Sequence, residues 1–354
     1  MSAPREVRSA DLLSYATEIL AREGVPDADA ALVAESLVDA NLRGVDSHGV
    51  SRIPIYVERI RRGLVNVHPT VEVIADRPAV MHVDGDNGLG QVVLARALEL
   101  GLERMRETGA VTVSVRNSNH YGAGAFFARR AALAGAAALL LGNAPSTMVA
   151  WGGRERYLGT NPFTFAVPAQ DRDPILLDMA TSVVARGKII LADQLGHDIP
   201  EGWAVDPDGN PTTDTQAALD GSVLPFGGPK GYGIAMMVEI MSAILSGANS
   251  GPDVGDLYDD LDRPQGVGAF LHLVDPGAFA GGDAFQSRAG SLVSRIKATA
   301  VEGGEVLVPG EIEERMAAGR RDQGIPLPVE VLTALHDLSG IPFPAAQAGQ
   351  KERV

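Results

Sequence analysis

The 354-residue chain contains no cysteine. Disulfide bridges, thiolate-ligated metal sites and a cysteine nucleophile are therefore excluded. Aromatic residues are also sparse, at 5% of the chain, whereas 45% of it is hydrophobic and 21% is charged. This composition is typical of a soluble globular protein, and the length allows two or three lobes with cores of their own.

The sequence also lacks a long apolar run and a recognisable secretion signal. The most apolar run, residues 131–142, is shorter than the roughly 20 residues that span a bilayer. The N-terminus turns directly into a charged amphipathic segment, without the apolar core and small-residue cleavage site of a signal peptide. We therefore expect a cytoplasmic protein that does not act in a membrane.

Positively charged residues are fewer than negatively charged ones. The chain has 30 Lys and Arg against 45 Asp and Glu, which gives a formal net charge of −15 and a pI near 4.9. Binding to duplex nucleic acid depends on clustered Lys and Arg that neutralise phosphates. Nucleic acid is therefore not an expected partner, and local positive groups must hold any anionic ligand.

Several motifs that would identify a catalytic class are missing. No Gly-x-Gly-x-x-Gly follows a predicted strand, so the sequence does not indicate a Rossmann fold. It also contains no P-loop, no His-Glu-x-x-His helix and no Gly-x-Ser-x-Gly nucleophile elbow. The seven histidines are scattered along the chain, and this distribution predicts no metal site.

The stretch that best suits catalysis is residues 41–52, which contains Ser47, His48 and Arg52. Histidine has an unperturbed pKa near neutrality, so His48 suits proton transfer to and from a developing alkoxide. Ser47 is placed to orient the imidazole, and the guanidinium of Arg52, one helical turn further on, suits bidentate binding of a carboxylate. The structural alternative is that Asp46 or Ser47 caps a helix and His48 is a loop residue bonded to the backbone.

Apolar periodicity and turn residues predict a mixture of helices and strands. The predicted helices cover residues 9–24, 27–43, 53–62, 91–108, 125–134, 232–247, 283–300 and 310–321, with another that carries Arg186 and Lys188. The predicted strands cover residues 71–74, 79–83, 110–115, 136–141, 174–177 and 268–274. Residues 232–247 are nearly apolar all round, which predicts a central buried helix with Glu239 either paired or protonated. Residues 196–231 predict a long surface excursion, and the Asp- and Gly-rich residues 248–266 predict a mobile loop.

Five segments occur in the order, and with the spacing, of motifs from one known family. They are Arg43-Gly-Val-Asp-Ser-His-Gly49, Asn117-Ser-Asn-His-Tyr-Gly122, Leu158-Gly-Thr-Asn-Pro162, Leu177-Asp-Met-Ala-Thr-Ser182 and Gly228-Pro-Lys-Gly-Tyr-Gly233. On these motifs the chain resembles the malate/L-lactate dehydrogenase family of type 2, which also includes ureidoglycolate, sulfolactate and 2,3-diketogulonate enzymes and Δ1-piperideine-2-carboxylate reductase. The match covers most of residues 9–335, and five collinear motifs together are specific. Residues 248–266 and 335–354 carry no match.

The resemblance implies a mixed α/β (α+β), non-Rossmann oxidoreductase fold. It implies a largely antiparallel sheet in the cofactor domain and a helical lobe made from both chain ends. The predicted domains are a helical lobe of residues 1–70 and 305–354, a central α/β substrate and dimer domain of 71–120 and 231–304, and a cofactor-binding domain of 121–230. Family members are typically homodimers with the active site near the subunit interface.

The resemblance also implies roles for individual residues. His48 is the proton donor or acceptor with Ser47 beside it, and Arg52 binds the substrate carboxylate in a pocket lined by Thr160 and Asn161. The residues implied to border NAD or NADP are His120, Tyr121, Gly122, Ala123, Ser146, Asp178, Met179, Ala180 and Lys230. Some family members use the histidine equivalent to His120 as the acid/base, so the two histidines compete for that role.

Part of this assignment has support from the residues alone. Lys188 and Lys230 lie beside a helix start or among glycines, where backbone N–H groups and a cation hold phosphate. Their structural alternative is a solvated surface lysine. His120 has an alternative as a structural loop histidine, and Asp178 has one as a strand-end cap for the helix that follows it.

We predict hydride transfer between NAD(P)H and C2 of a small 2-oxo acid, with the reverse reaction on the 2-hydroxy acid, such as malate or lactate. Reduction of a cyclic imino acid and oxidation of ureidoglycolate are related alternatives. A non-enzymatic rival is a metabolite-binding sensor on the same scaffold, against which the intact Ser47, His48 and Arg52 argue. A hydrolase using Ser47 and His48 is disfavoured, because adjacent residues do not easily point the hydroxyl at the imidazole in attack geometry and no third orienting group is evident.

Overall fold

The structure is a computed structural model that describes residues 4–343. The chain divides into two compact units. One consists of the residues up to Gly63 together with those from Glu311 onward, and the other runs from Leu64 to Gly310. The division into three domains, with the boundaries given above, stays a prediction.

The elements of the described residues are numbered in chain order. The helices are α1 (Ser9–Arg22), α2 (Asp27–Leu42), α3 (Ile53–Arg61), α4 (Gly90–Thr108), α5 (Gly124–Leu133), α6 (Arg186–Gln194), α7 (Thr215–Asp220), α8 (Pro229–Glu239), α9 (Gly277–Ala280), α10 (Gly282–Lys297), α11 (Glu311–Gln323) and α12 (Val329–Ser339). The strands are β1 (Arg5–Val7), β2 (Glu72–Arg77), β3 (Val80–Asp84), β4 (Ala110–Ser118), β5 (Ala137–Gly142), β6 (Met148–Val149), β7 (Arg156–Leu158), β8 (Phe163–Val167), β9 (Ile175–Met179), β10 (Ala204–Val205), β11 (Pro211–Thr212), β12 (Ser222–Val223), β13 (Val267–Val274) and β14 (Ile325–Leu327).

The first unit is a helical lobe built from both chain ends, as predicted. Helix α1 packs against α2, and α11 also contacts α2. Leu12, Ile19 and Leu20 lie on the buried face of α1, because residues spaced by about one or two turns share one side of a helix. The short antiparallel pair of β1 and β14 places Val7 opposite Ile325 and joins the two chain segments.

The second unit is built on a seven-stranded sheet with the strand order β2-β3-β4-β13-β5-β8-β9. All neighbouring strands in this sheet are antiparallel except β3 and β4. A smaller five-stranded sheet has the order β11-β10-β12-β6-β7. The predicted non-Rossmann fold with a largely antiparallel sheet is confirmed.

The two faces of the seven-stranded sheet are covered by different helices. A Cβ added at Gly101 of α4 would lie 2.8 Å from Leu273 of β13, so Leu273 points towards α4. Successive strand residues point to opposite faces, which places Phe270 and His272 on the other side. There Phe270 packs with Val238 of α8.

The segment that we expected to form a central buried helix departs from that prediction. It forms α8 followed by a π-helical turn, Ile240–Ile244. One side of it packs on the sheet, but four large side chains on the other side are each 45–60% exposed: Met236, Met237, Ile240 and Ile244. An apolar surface all round indicates burial on every side, and within a single chain this segment is buried on one side only.

Several elements were not predicted from the sequence. Residues 196–231, expected to be an irregular excursion, contain α7 and the strands β10, β11 and β12, each of two residues. Also missed were strands β1, β6, β7, β8 and β14 and helices α9 and α12. Among the described residues no helix is long and apolar enough to cross a membrane.

Candidate active site

The segment singled out in the sequence forms two 3-10 turns, Asp46–His48 and Val50–Arg52, immediately before α3. Gly49 separates the turns, and a Cβ at this position would overlap the side-chain amide of Asn41. Glycine is needed here because of this close approach. The helix expected to begin near Val50 begins as an α-helix only at Ile53.

Two residues that the sequence reasoning missed hold this segment in place. Asn41 is buried in α2, where its Nδ2 donates to Asp46 Oδ1 at 2.7 Å and its Oδ1 accepts from the Val50 N–H at 2.9 Å. Arg320 of α11 donates to both carboxylate oxygens of Asp46 and to the Asn41 carbonyl. The only signal in the sequence was a polar residue, Asn41, on a helix with an apolar face.

Ser47 and His48 are in direct contact. The Oγ of Ser47 lies 3.0 Å from Nδ1 of His48, so the hydroxyl is positioned to orient the imidazole. The two adjacent side chains thus meet through Nδ1 of the imidazole.

Arg52 extends the same cluster. Its Nε donates to the Ser47 carbonyl at 2.7 Å. Burial of the imidazole, and in second place the charge of Arg52, lowers the pKa of His48 to about 4 from its ordinary value of 6.5. The sequence reasoning assumed the ordinary value. Near neutrality His48 is therefore uncharged and able to accept a proton.

His120 lies in the second unit, just beyond the end of β4. Its backbone N–H donates to Oε1 of Gln265 at 3.0 Å. The neighbouring Asn119 is buried and donates through Nδ2 to the Gly88 carbonyl at 2.9 Å. Asn117 has a positive φ of 51°, a conformation that is uncommon for residues other than glycine and that concentrates at functional sites.

Asp178 connects the end of β9 to the start of α5. Its Oδ2 accepts from the Ala125 N–H at 2.8 Å and its Oδ1 accepts from Thr164 Oγ1 at 2.7 Å. The aspartate thus caps α5, which precedes it in sequence, rather than the helix that follows it. Gly124 allows this packing, since a Cβ there would overlap Thr164 Oγ1.

The other predicted cofactor residues of this region surround Asp178 along the chain. Tyr121 is buried, and burial together with the Asp178 charge raises the pKa of its phenol. Gly122 has a φ of +78°, and Ala123 immediately precedes α5. Met179 is the last residue of β9 and Ala180 follows it; both are half-buried.

Ser146, Lys188 and Lys230 come from three other segments of the second unit. The Oγ of Ser146 donates to the Tyr157 carbonyl at 2.7 Å. Lys188 lies in the first turn of α6 and Lys230 in the first turn of α8, and both are exposed. Each lysine therefore stands at a helix N-terminus, where the helix dipole also favours an anion.

The two predicted substrate residues, Thr160 and Asn161, differ in burial and in their hydrogen bonds within the protein. Asn161 is fully buried; its Nδ2 donates to Glu239 Oε2 at 2.7 Å and its Oδ1 accepts from the Ala144 N–H at 3.2 Å. Thr160 is half-buried, and its carbonyl accepts from the Thr181 N–H at 2.8 Å. Of the two side chains, that of Thr160 is the one exposed enough to contact a ligand. Glu239 is paired through hydrogen bonds, one of the two states anticipated for it.

No group of three or more His, Asp or Glu side chains among residues 4–343 is arranged to hold a metal ion.

The fold and these motifs define a class of oxidoreductase without a Rossmann domain. A family model described as malate/L-lactate dehydrogenase matches residues 7–336, and the chain belongs to that family. It is 40% identical over 306 residues to L-sulfolactate dehydrogenase of Methanocaldococcus jannaschii, covering 86% of this chain and 88% of that protein. It is 38% identical over 338 residues to malate dehydrogenase of Pyrococcus horikoshii, covering 93% of each.

The solved structures agree with this assignment. The sulfolactate dehydrogenase from Methanocaldococcus jannaschii superimposes with a TM-score of 0.89 at 36% identity, over 95% of this chain and 97% of that one. The likeness therefore extends over nearly the whole of both chains. The protein is an oxidoreductase of the malate/sulfolactate dehydrogenase family.

Proposed function

We propose that this protein transfers a hydride between NAD or NADP and C2 of a small 2-hydroxy or 2-oxo acid. The observation that carries the proposal is the cluster in residues 46–52, where Ser47 contacts the ring of a neutral His48 and Arg52 lies on the same pair of turns. Relatives named for sulfolactate, malate and ureidoglycolate support it, because all three substrates carry a hydroxyl next to a carboxylate.

Each residue of this cluster has one task. In the oxidative direction His48 accepts the proton of the substrate hydroxyl. Ser47 holds the imidazole through Nδ1, and Arg52 binds the substrate carboxylate through its guanidinium fork. When it is bound, the nicotinamide ring accepts or supplies the hydride.

The residues of the second unit fit a nicotinamide dinucleotide. Lys188 and Lys230 present exposed cations at two helix N-termini, the setting that suits phosphate. Gly122 provides backbone without a side chain beside the buried Tyr121. One relative is named as a ureidoglycolate dehydrogenase using NAD+ and another as a sulfolactate dehydrogenase using NADP+, so both coenzymes belong in the test.

His120 is the second candidate for proton transfer. It belongs to the segment that we assign to the cofactor, and the Gln265 side chain holds its backbone. The two histidines are distinguished by substitution, as set out in the Discussion.

The experiment that tests the function is a steady-state assay of the parent protein. Oxaloacetate, pyruvate, sulfopyruvate and a cyclic imino acid are each offered with NADH and with NADPH, and oxidation of the reduced nicotinamide is followed by its absorbance. We expect turnover with at least one 2-oxo acid. Binding of an acid without turnover would indicate a sensor, and hydrolysis of an ester without coenzyme would indicate a hydrolase.

We also propose that the protein is a homodimer, with the partner covering the outward side of α8 and its π-helical turn. Between residues 231 and 250 the only charged residue is Glu239, and its carboxylate is buried and hydrogen-bonded to Asn161 and Gly251. The exposed side of this segment is therefore uncharged and apolar. Two copies that each carry a net charge of −15 repel one another, and a contact through an uncharged face adds least to that repulsion.

Sedimentation of an aspartate variant tests the dimer. Ile240→Asp should convert the parent dimer to a monomer, because a charge on the contact face must be desolvated. The control is Val301→Asp, which changes a side chain that is 78% exposed on another segment. A parent that sediments as a monomer, or an Ile240→Asp variant that stays dimeric, would rule out this interface.

A further inference from the structure

A chain of hydrogen bonds connects Asn161 to the loop of residues 249–266. Asn161 donates to one oxygen of Glu239 at 2.7 Å, and the N–H of Gly251 donates to the other oxygen at 2.8 Å. Both side chains are buried. The carboxylate of Glu239 therefore fixes the start of the loop, which we call the 249–266 loop.

The other end of the loop is fixed by Gln265, whose side chain is fully buried. Its Oε1 accepts from the His120 N–H at 3.0 Å and its Nε2 donates to the Gly255 carbonyl at 3.2 Å. The Gly255 N–H in turn donates to the Gln265 carbonyl at 3.0 Å. The side-chain amide of Gln265 thus bonds to the loop through Nε2 and to the backbone of His120 through Oε1.

The register of the sheet explains why a side chain is needed at this point. In the antiparallel pair of β4 and β13, Ser118 lies opposite Val267, and the pairing stops there. Two more steps of the same register would bring His120 opposite Gln265. Since the backbone ladder has ended, the amide oxygen of Gln265 accepts the N–H that a strand carbonyl would otherwise accept.

We propose that Gln265 is a positioning residue for His120 and couples the place of that histidine to the conformation of the 249–266 loop. The role of His120 in cofactor binding or proton transfer rests on the proposed function. An apolar residue of similar size would fill the same space but would leave the His120 N–H and the Gly255 carbonyl without their partner, and buried polar groups in that state are costly. The glutamine therefore does more than pack.

The kinetic test uses Gln265→Leu, with Asn249→Ala as its control. Asn249 donates to the Gln265 carbonyl at 3.3 Å, so its loss weakens the loop but leaves the amide on His120 intact. We expect Gln265→Leu to lower kcat by about 10- to 100-fold, the cost of a small misplacement of a site residue. The KM of the coenzyme should change by less than about threefold, and Asn249→Ala should keep kcat within about twofold of the parent.

A second readout does not depend on turnover. Gln265→Leu removes the acceptor of the His120 N–H, so a positioning role predicts that the ring signals of His120 shift, whereas a space-filling role predicts that they stay in place. NMR of the histidine rings measures this change, because the chain has only seven histidines and His120→Gln identifies the signal. The expected result is a shift in Gln265→Leu and none in Asn249→Ala.

Several outcomes would overturn the inference. Unchanged kcat in Gln265→Leu, an equal loss in Asn249→Ala, or unmoved His120 ring signals in Gln265→Leu each removes Gln265 from the positioning role. Should Gln265→Leu not fold, Gln265→Asn takes its place, because the amide is kept but is one methylene too short to reach. A parent without dehydrogenase activity refutes the proposed function alone, and the NMR signals of His120 in Gln265→Leu still decide the role of Gln265.

Discussion

Arg320 binds Asp46 through two parallel ion-pair contacts, from Nη1 to Oδ1 at 2.8 Å and from Nη2 to Oδ2 at 3.0 Å. Asp46 is the first residue of the turn that carries Ser47 and His48. The two partners come from opposite ends of the chain, and the arginine side chain is only 14% exposed. The place of the turn that carries Ser47 and His48 therefore depends on a residue 274 positions away.

Replacing this arginine tests that dependence. Arg320→Met should lower kcat/KM by about 10- to 100-fold, because the turn loses its ion pair with Arg320 and the proposed catalytic groups, Ser47 and His48, move. The control is Arg321→Met, since Arg321 is 46% exposed and contacts Glu314 at 3.4 Å, an arrangement worth about 0–1 kcal/mol. Steady-state kinetics and thermal unfolding of both variants give the comparison. Equal effects of the two substitutions would deny Arg320 this role.

His48→Ala should lower kcat by about two to four decades, the usual contribution of one general acid or base. Coenzyme affinity, measured by fluorescence titration, should stay close to that of the parent, because the residues we assign to the phosphates belong to other segments. His120→Ala is made in parallel. If His120→Ala is inactive while His48→Ala turns over normally, the two assignments must be exchanged.

The pH dependence of the reaction should report the low pKa of His48. Oxidation needs the neutral imidazole, and the pKa of about 4 means that kcat/KM should stay level below neutrality and fall only as the pH approaches about 4. A carboxylate bound to Arg52 offsets one of the two causes of that low pKa. The acid limb of kcat should therefore lie at higher pH than the acid limb of kcat/KM. A limb of kcat/KM near pH 6.5, the ordinary histidine value, would contradict the assignment.

Arg52→Lys should be damaging although it keeps the charge. A guanidinium binds a carboxylate through two parallel hydrogen bonds, whereas lysine offers a point charge on a flexible stem. The loss of one such bond costs about 1.5 to 3 kcal/mol, or roughly one to two decades of kcat/KM. The parent should strongly prefer 2-oxo acids to their amides, and the variant should narrow that preference mainly by losing activity on the acids. Equal discrimination by both proteins would place the carboxylate elsewhere.

Lys230→Ala should raise the KM of the coenzyme more than it lowers kcat, because a phosphate contact far from the reacting carbon contributes equally to ground state and transition state. The measurement is made with NADH and with NADPH. A larger effect on NADPH would assign Lys230 to the 2′-phosphate. Unchanged constants for both coenzymes would exclude the lysine from the site.

The sequence predicted the long elements well because their signals are local. Residues 91–108 show apolar periodicity over several turns, and the helix observed is Gly90–Thr108. The helical lobe from both chain ends and the antiparallel sheet came from the family motifs rather than from periodicity. Within the single chain the apolar segment 232–247 is buried on one side only, because an apolar pattern alone does not say whether the covering partner is the same chain.

The candidate site was only partly predictable, for a related reason. Ser47, His48 and Arg52 are neighbours in sequence and form a recognisable pattern. Arg320 and Gln265 act on the site segments through contacts that appear only when distant parts of the chain meet. Asn41 is near its partners in sequence, but its contacts depend on the turn of the chain after α2. A single sequence also gives no measure of burial, so it did not foresee the low pKa of His48.

Strand β13 is the last strand of the seven-stranded sheet to be synthesised. It lies between β4 and β5 and pairs with both, although it follows them by more than a hundred residues. Until β13 has been synthesised, β4 and β5 each present an unpaired edge, the kind of surface that recruits other chains. Such long-range pairing slows folding because a large loop must close first. A nascent chain that ends before Val267 cannot finish the sheet, so we expect C-terminal truncation in this region to give aggregation rather than a smaller folded enzyme.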